Sequence, residues 1–274
     1  MTDQVIVITG ASDGIGAAAA RRLRAQGEHV ILVGRSPDKT KQIAHELDSP
    51  YYLADFADLD QVRSLAERLQ SDAPRIDVLA NNAGGMMGAR LITVDGNELT
   101  LQVNHLAPFL LTNLLLETLV ASQASVITTS SLYHRRAGTL DLNDLNLENG
   151  YSASHAYAKA KLMNILFTRE LHERFHGSGV SAAAFHPGIV RTSFTKEFGG
   201  NAHLLYSGLA SKFLRSPEKG AATLVWLAGA EAIDDWTSGE YYKDRKIARI
   251  SKQAQIPGLA HSLWDLSLSL TKLA

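Results

Sequence analysis

Short runs of β-branched and apolar residues alternate along this chain with longer stretches whose apolar residues recur at helical spacing. "VIVIT" (5–9) precedes "GIGAAAARRLRAQG", and "HVILVG" (29–34) precedes "SPDKTKQIAHEL". "YYLAD" (51–55) precedes "LDQVRSLAERLQ". "IDVLANN" (76–82) leads through a glycine-rich loop to "LTLQVNHLAPFLLTNLLLETLVA", and "SVITTSS" (125–131) leads through a polar connection to a helix containing Tyr157. "VSAAAFHPG" (180–188) reads as a sixth strand. Strands apolar on both faces, alternating with helices, predict a parallel sheet covered on both sides, with right-handed crossovers. No repeat, low-complexity tract or linker interrupts the pattern. The expected architecture is one doubly wound α/β (Rossmann) domain over 1–274, with a substrate-lid segment at about 193–215 and a C-terminal extension from about 243.

Composition narrows the function classes. The 274 residues carry a formal charge of -1, so no clustered positive surface for nucleic acid is expected. With no cysteine, disulfides, thiol nucleophiles and thiolate zinc sites are excluded. The ten histidines form no H-E-x-x-H or comparable cluster, and no metal is predicted. The chain opens directly into a strand without a signal-peptide pattern. "FLLTNLLLETLVA" falls short of the roughly 18 apolar residues a membrane span needs. A cytoplasmic protein without a membrane span is expected.

"TGASDGIG" (9–16) joins the first strand to the first helix. Gly10, Gly14 and Gly16 permit a tight turn and close approach of backbone to a pyrophosphate, beside the positive end of a helix. The alternative is a strand-to-helix turn that binds nothing. NAD sites place an acid about 20 residues beyond the glycines. Here the second strand ends "VGRS", with no acid. Arg35, assisted by Ser36, can pair with a 2′-phosphate, which favours NADP(H) over NAD(H). Asp55 can accept from an adenine amino group with Phe56 alongside, whereas Asp58 is the better candidate for a helix N-cap. "NNAGG" (81–85) is by itself a turn signal whose asparagines can tie neighbouring loops.

Tyr157 and Lys161 lie four apart, on one helix face. A free tyrosine, with a pKa of about 10, is a poor base at neutral pH; a nearby ammonium favours the phenolate. The pair then suits general acid–base chemistry, with Lys161 also able to hold ribose hydroxyls and Lys159 as a solvated neighbour. Ser131 at the end of the fifth strand is placed to donate to a substrate carbonyl, its neighbour Ser130 facing the other way. Asn104 lies four residues before Pro108, which disrupts the helix at the Asn104 carbonyl and frees it to hold a water. The plainer readings are a solvated helix face, a polar strand end and a proline-kinked helix.

Together these residues resemble the short-chain dehydrogenase/reductase family: Thr9 to Gly16, Asn81 to Gly84, Asn104, Ser131, then Tyr157 with Lys161, in that order. "VNHLAPFLLTNLLL", "YAKAKLMNILFTREL", "HPGIVRT" and the terminal "SGEYYKD" and "LWDLS" are similar to the retinol-dehydrogenase-like branch. The resemblance implies that NADP(H) is held by Gly10, Ser12, Asp13, Gly14, Ile15, Gly16, Asn82, Ala83, Gly84, Tyr157, Lys161, Pro187, Gly188, Val190 and Thr192. It implies hydride transfer between nicotinamide and a carbonyl or alcohol carbon, with Tyr157 exchanging the proton, Lys161 lowering its pKa, Ser131 orienting the substrate oxygen and Asn104 holding a relay water. Three departures stand out. Ala160 replaces a usual serine, Asp13 occupies a position often neutral or basic in NADP users, and the connection between Ser131 and Tyr157 is long. That connection is expected to wall the substrate site, with His134, Arg135 and Arg136 solvated or facing substrate.

Two other readings use the same residues. An epimerase or dehydratase on this scaffold usually shows G-x-x-G-x-x-G and a longer C-terminal part. A non-catalytic NADP sensor usually lacks the tyrosine or the lysine. The apolar "YSGLASKFL" (206–214) suggests a small, lipophilic substrate, although such residues equally serve contacts in a dimer or tetramer.

Overall fold

The structure is a computed structural model that describes residues 3–190, 215–229 and 235–273. The predicted alternation is present: β1 (Val5–Thr9), α1 (Gly14–Ala25), β2 (His29–Gly34), α2 (Pro37–Leu47), β3 (Tyr51–Leu53), α3 (Leu59–Asp72) and β4 (Val78–Asn81) follow one another. A helical turn at Leu99–Leu101 then runs through a π-helical stretch, Gln102–Leu106, into α4 (Ala107–Leu114) and α5 (Leu116–Ala121). β5 (Ser125–Thr129), a 3₁₀ turn (Leu132–Arg136), α6 (Ala153–Phe175), β6 (Ser181–His186) and α7 (Pro217–Gly229) follow. β7 (Glu240–Lys243), β8 (Lys246–Ile247) and α8 (Leu259–Leu270) complete the described elements.

The sheet order is β3-β2-β1-β4-β5-β6-β7-β8, parallel except for the β7–β8 hairpin. Alternate residues of each strand enter opposite layers. Val7, Ile31, Val33, Leu79 and Val126 pack with α3, α4 and Phe167 of α6. Ile6, Ile8, Val30, Leu32 and Ile127 pack with α1, α2 and α7. Both faces are therefore covered, as the two-sided apolar runs require. The strand order reverses between β1 and β4, and ligands of open α/β sheets bind at the carboxyl edge of such a switch point.

Four local departures bear on the site. β3 stops at Leu53, so Asp55 lies in a loop. β5 stops at Thr129, which leaves Ser130 and Ser131 just beyond the sheet. The long predicted helix is broken by the π-helical stretch, because Pro108 has no N–H to give the Asn104 carbonyl and the ladder shifts to Ala107 N–H bonding Gln102 O. The strands β7 and β8, only four and two residues long, carry too little alternation to be recognised in the sequence.

Candidate active site

The glycine loop has no room for a side chain at Gly10 or Gly16. Gly10 has φ of 65°, a left-handed conformation that favours glycine. A Cβ on Gly16 would overlap the Gly10 carbonyl oxygen and lie 2.7 Å from Asn82 Nδ2. Asn82 is the node that ties three strands together. Its Nδ2 donates to Thr9 O at 3.0 Å, its N–H donates to Thr9 Oγ1 at 3.0 Å, and its Oδ1 accepts from Thr129 Oγ1 at 3.2 Å. Ala83 N–H also donates to Thr9 Oγ1, at 3.0 Å, so "NNAG" is pinned beside the loop. Asp13 caps α1, accepting from Gly14 N–H at 2.7 Å, and forms an ion pair with Lys39 at 2.9 Å. A glycine turn crowded against backbone at Gly10 and Gly16, ahead of a twelve-residue helix, fits a pyrophosphate.

At the end of β2, Arg35 is exposed and Ser36, the N-cap residue of α2, makes no side-chain cap bond. Asp55 Oδ1 accepts from Ala57 N–H at 3.0 Å, and Asp58 caps α3 as expected. Phe56 is 5% exposed and packs in the core, so its backbone, not its ring, borders the loop. Pro187, Gly188 and Val190 follow β6; Val190 and Ile15 both pack against Gly220 of α7, which joins the segment after β6 to the glycine loop. Thr192 and nearly all of the predicted lid lie outside the described residues, as does 206–214.

The residues predicted for proton transfer gather around β5. Asn104 is buried, and its side chain clamps the loop after β4: Oδ1 accepts from Gly85 N–H at 3.0 Å, and Nδ2 donates to Gly85 O at 2.7 Å and Thr100 O at 2.8 Å. Ser130 and Ser131 separate as predicted. Ser130 Oγ is committed, donating to Lys161 O at 2.7 Å. Ser131 Oγ caps the 3₁₀ turn by accepting from Tyr133 N–H at 3.3 Å, which leaves its own proton for an acceptor outside. α6 carries Tyr157, half-buried, and Lys161, 2% exposed, with Lys161 Nζ 5.3 Å from the centre of the Tyr157 ring. Lys161 Nζ donates to Thr129 O at 3.1 Å, an oxygen that also accepts from Asn164 Nδ2 at 3.1 Å.

Two expectations are corrected. Lys159 is not a solvated neighbour: it is 5% exposed, because α6 is enclosed on nearly every side, and burial lowers its pKa against the opposing pull of Asp144 and Asp141. Nor is His134 a solvated loop residue: it is buried, with Nδ1 2.7 Å from Ser131 O. Arg135 donates to Arg249 O at 2.9 Å, and Arg136 lies over the Tyr133 ring. The long connection is itself anchored by buried Leu140, Leu145 and Leu147.

Burial lowers the Lys161 pKa to about 7 from its ordinary 10.5. Between these values the unfolded chain holds the proton that the folded chain releases, so this group makes the cofactor-free protein more stable as pH rises from about 7 to 10.5. The slope contributed is at most about 1.4 kcal/mol per pH unit. Lys161→Met is expected to flatten the rise, read as thermal midpoints of both proteins across pH 7 to 10; equal slopes would refute the assignment.

Sequence reasoning passed over Asn164, Lys39 and Tyr133. Asn164, seven residues after Tyr157, carries a local signal, a polar residue inside an apolar helical run. Lys39 and Tyr133 carry none, since what distinguishes them are contacts with Asp13 and Tyr157.

A Rossmann sheet whose switch point brings a glycine loop to one end and a half-buried tyrosine beside a buried lysine to the other is the framework of an oxidoreductase acting on CH–OH and C=O groups. The chain belongs to the short chain dehydrogenase family, which it matches over residues 4–202, and to its retinol-dehydrogenase-like branch. It is 42% identical to a Streptomyces sp. (strain C5) protein named as a daunorubicin C-13 ketoreductase, over 96% of this chain and 91% of that one. It is 38% identical to retinol dehydrogenase 12 of Homo sapiens, over 97% and 86% of the two chains. Among solved structures, an uncharacterized protein from Mycobacterium Paratuberculosis is similar at 34% identity and a TM-score of 0.79, over 98% of this chain and 93% of that one. A Beutenbergia cavernae structure named as an NAD(P) dependent gluconate 5-dehydrogenase, with NADP bound at low occupancy, is similar at 27% identity and a TM-score of 0.64, over 82% and 89%. Among the described residues no helix is long and apolar enough to cross a membrane.

Proposed function

We propose that the protein is an NADP(H)-dependent reductase or dehydrogenase of a small lipophilic carbonyl or alcohol. The observation that carries the cofactor choice is Arg35, exposed at the carboxyl end of β2 where an NAD enzyme would place an acid. Ser36 and Lys39 add a hydroxyl and a second cation at the same edge, and the Lys39 pair offsets the Asp13 carboxylate there. The similar structure with bound NADP supports the same choice.

When bound, the nicotinamide supplies or accepts the hydride. The protein's part is to hold and to move a proton. The loop Gly10–Gly16 with Ser12, Asp13 and Ile15 would cradle the pyrophosphate, Asp55 and the Phe56 backbone would border the adenine, and Pro187, Gly188 and Val190 would border the nicotinamide. Ser131 Oγ–H donates to the substrate oxygen, and Tyr157 gives or takes its proton. Lys161, anchored through one hydrogen of its ammonium to Thr129 O, keeps further donors for ribose hydroxyls. Asn104 shapes the opposite wall through Gly85.

Oxidation of NADPH and NADH over a panel of aliphatic and aromatic aldehydes and ketones tests this reading. NADPH is expected to be preferred by about tenfold or more, the worth of one charge-assisted hydrogen bond. Arg35→Ala should erase most of that preference by raising KM for NADPH alone. A strong preference for NADH would sink the role of Arg35.

A further inference from the structure

We propose that Tyr133 is a positioning residue for both reacting hydroxyls and that Arg136 holds it in place; this rests on the assignment of Tyr157 as the proton-transfer group and Ser131 as its partner. The 3₁₀ turn Leu132–Arg136 begins where Ser131 ends the run from β5. Tyr133 contributes two different parts of itself. Its backbone N–H donates to Ser131 Oγ at 3.3 Å, occupying a lone pair so that the hydroxyl proton turns outward. Its ring meets the Tyr157 ring edge-on, with centroids 5.8 Å apart and planes at 68°. That is the favoured geometry for an aromatic pair, whose positive edge faces a negative ring face.

The two rings form an edge-on pair with a basic side chain at each end. Arg136 Cζ sits 5.0 Å from the centre of the Tyr133 ring, and Lys161 Nζ sits 5.3 Å from the centre of the Tyr157 ring. The turn that carries Tyr133 is itself held by the two residues that follow it: His134 Nδ1 donates to Ser131 O at 2.7 Å, and Arg135 donates to Arg249 O at 2.9 Å. A half-buried tyrosine on a surface helix face has several rotamers open to it. Here Tyr157 is braced on one side by Lys161, which α6 supplies, and on the other by Tyr133, which the polar connection supplies. The same connection that borders the substrate side thus sets the position of the group that exchanges the proton. Proton transfer depends steeply on placement within hydrogen-bond reach, and a misplacement of about 1 Å costs up to about a hundredfold.

The test uses the full chain labelled with ring-¹³C tyrosine, the Tyr157 resonance being assigned by its absence in Tyr157→Phe. Tyr133→Phe keeps both the ring and the N–H and is expected to leave that resonance in place. Tyr133→Leu, apolar but without the ring, should shift and broaden it, and Arg136→Met should do so partly. In parallel, NADPH oxidation with 4-nitrobenzaldehyde should show kcat reduced about tenfold in Tyr133→Leu, with KM within about twofold, and restored in Tyr133→Phe. Tyr133→Ala provides the second variant should leucine unfold the protein. An unmoved Tyr157 resonance in the leucine and alanine variants overturns the proposal, as does a raised KM at unchanged kcat, which would make Tyr133 a substrate contact only. If Tyr157→Phe itself keeps normal turnover, the catalytic assignment falls, and this inference with it. If that variant is inactive while Tyr133→Leu matches the parent protein in signal and rate, only the inference falls.

Discussion

Tyr157→Phe is expected to lower turnover by about 10²- to 10⁴-fold, the usual contribution of a positioned proton donor, while NADPH binding stays within about threefold of the parent. The change removes one oxygen and keeps the ring, so the contacts with Tyr133 and Lys161 survive. Lys161 stays anchored to Thr129 O. Single-turnover NADPH oxidation and fluorescence titration of NADPH separate the two quantities. A loss under tenfold would show that the proton comes from elsewhere, and a parallel loss of NADPH affinity would show that the hydroxyl is a binding group. A non-catalytic sensor would show no turnover in either protein.

Gly16→Ala should be the most damaging change at the phosphate end. The added methyl meets the Gly10 carbonyl oxygen, which is backbone and cannot rotate away, and crowds Asn82 Nδ2 at 2.7 Å. Asn82 links β1, β4 and β5, so the strain spreads beyond the loop. Overpacking of this kind costs about 1–3 kcal/mol, roughly 3–10 °C in Tm for a domain of this size. NADPH affinity should fall more than tenfold, because the backbone can no longer approach a phosphate. Gly177→Ala is the control: nothing lies within 4 Å of a Cβ there. Differential scanning with and without NADPH reads both effects, and equal behaviour of the two variants would remove the glycine loop from the cofactor site.

Much of the fold and site was legible because the relevant signals are local. Strand runs apolar on both faces, each followed by helical periodicity, describe the layers before any contact is known. Asp58 as an N-cap was legible from residue type and position and holds, and the opposite facing of Ser130 and Ser131 followed from strand geometry, with the Ser130 hydroxyl turned onto Lys161 O and that of Ser131 onto the 3₁₀ turn. The π-helical stretch at Asn104 was legible only as a disruption, since Pro108 removes a donor without saying how the ladder re-forms. Phe56, read as an adenine neighbour, has its ring drawn into the core by the layer beneath α3. Lys159 was misread because charge predicts exposure only where a helix has a solvent face, and α6 has almost none at that level.

From the sequence alone came the order of elements, the glycine turn, the tyrosine–lysine spacing and the family likeness, all properties of neighbouring residues. Only the tertiary structure decided which groups share a site. Lys161 Nζ reaches an oxygen 32 residues away, and Asn82 bonds a strand 73 residues back. Burial makes the difference between Lys161 and an ordinary surface lysine, and burial is set by where the sheet order brings α6. The brace from Tyr133 has the same origin: a ring contact across 24 positions exists only because the connection after β5 folds back onto α6.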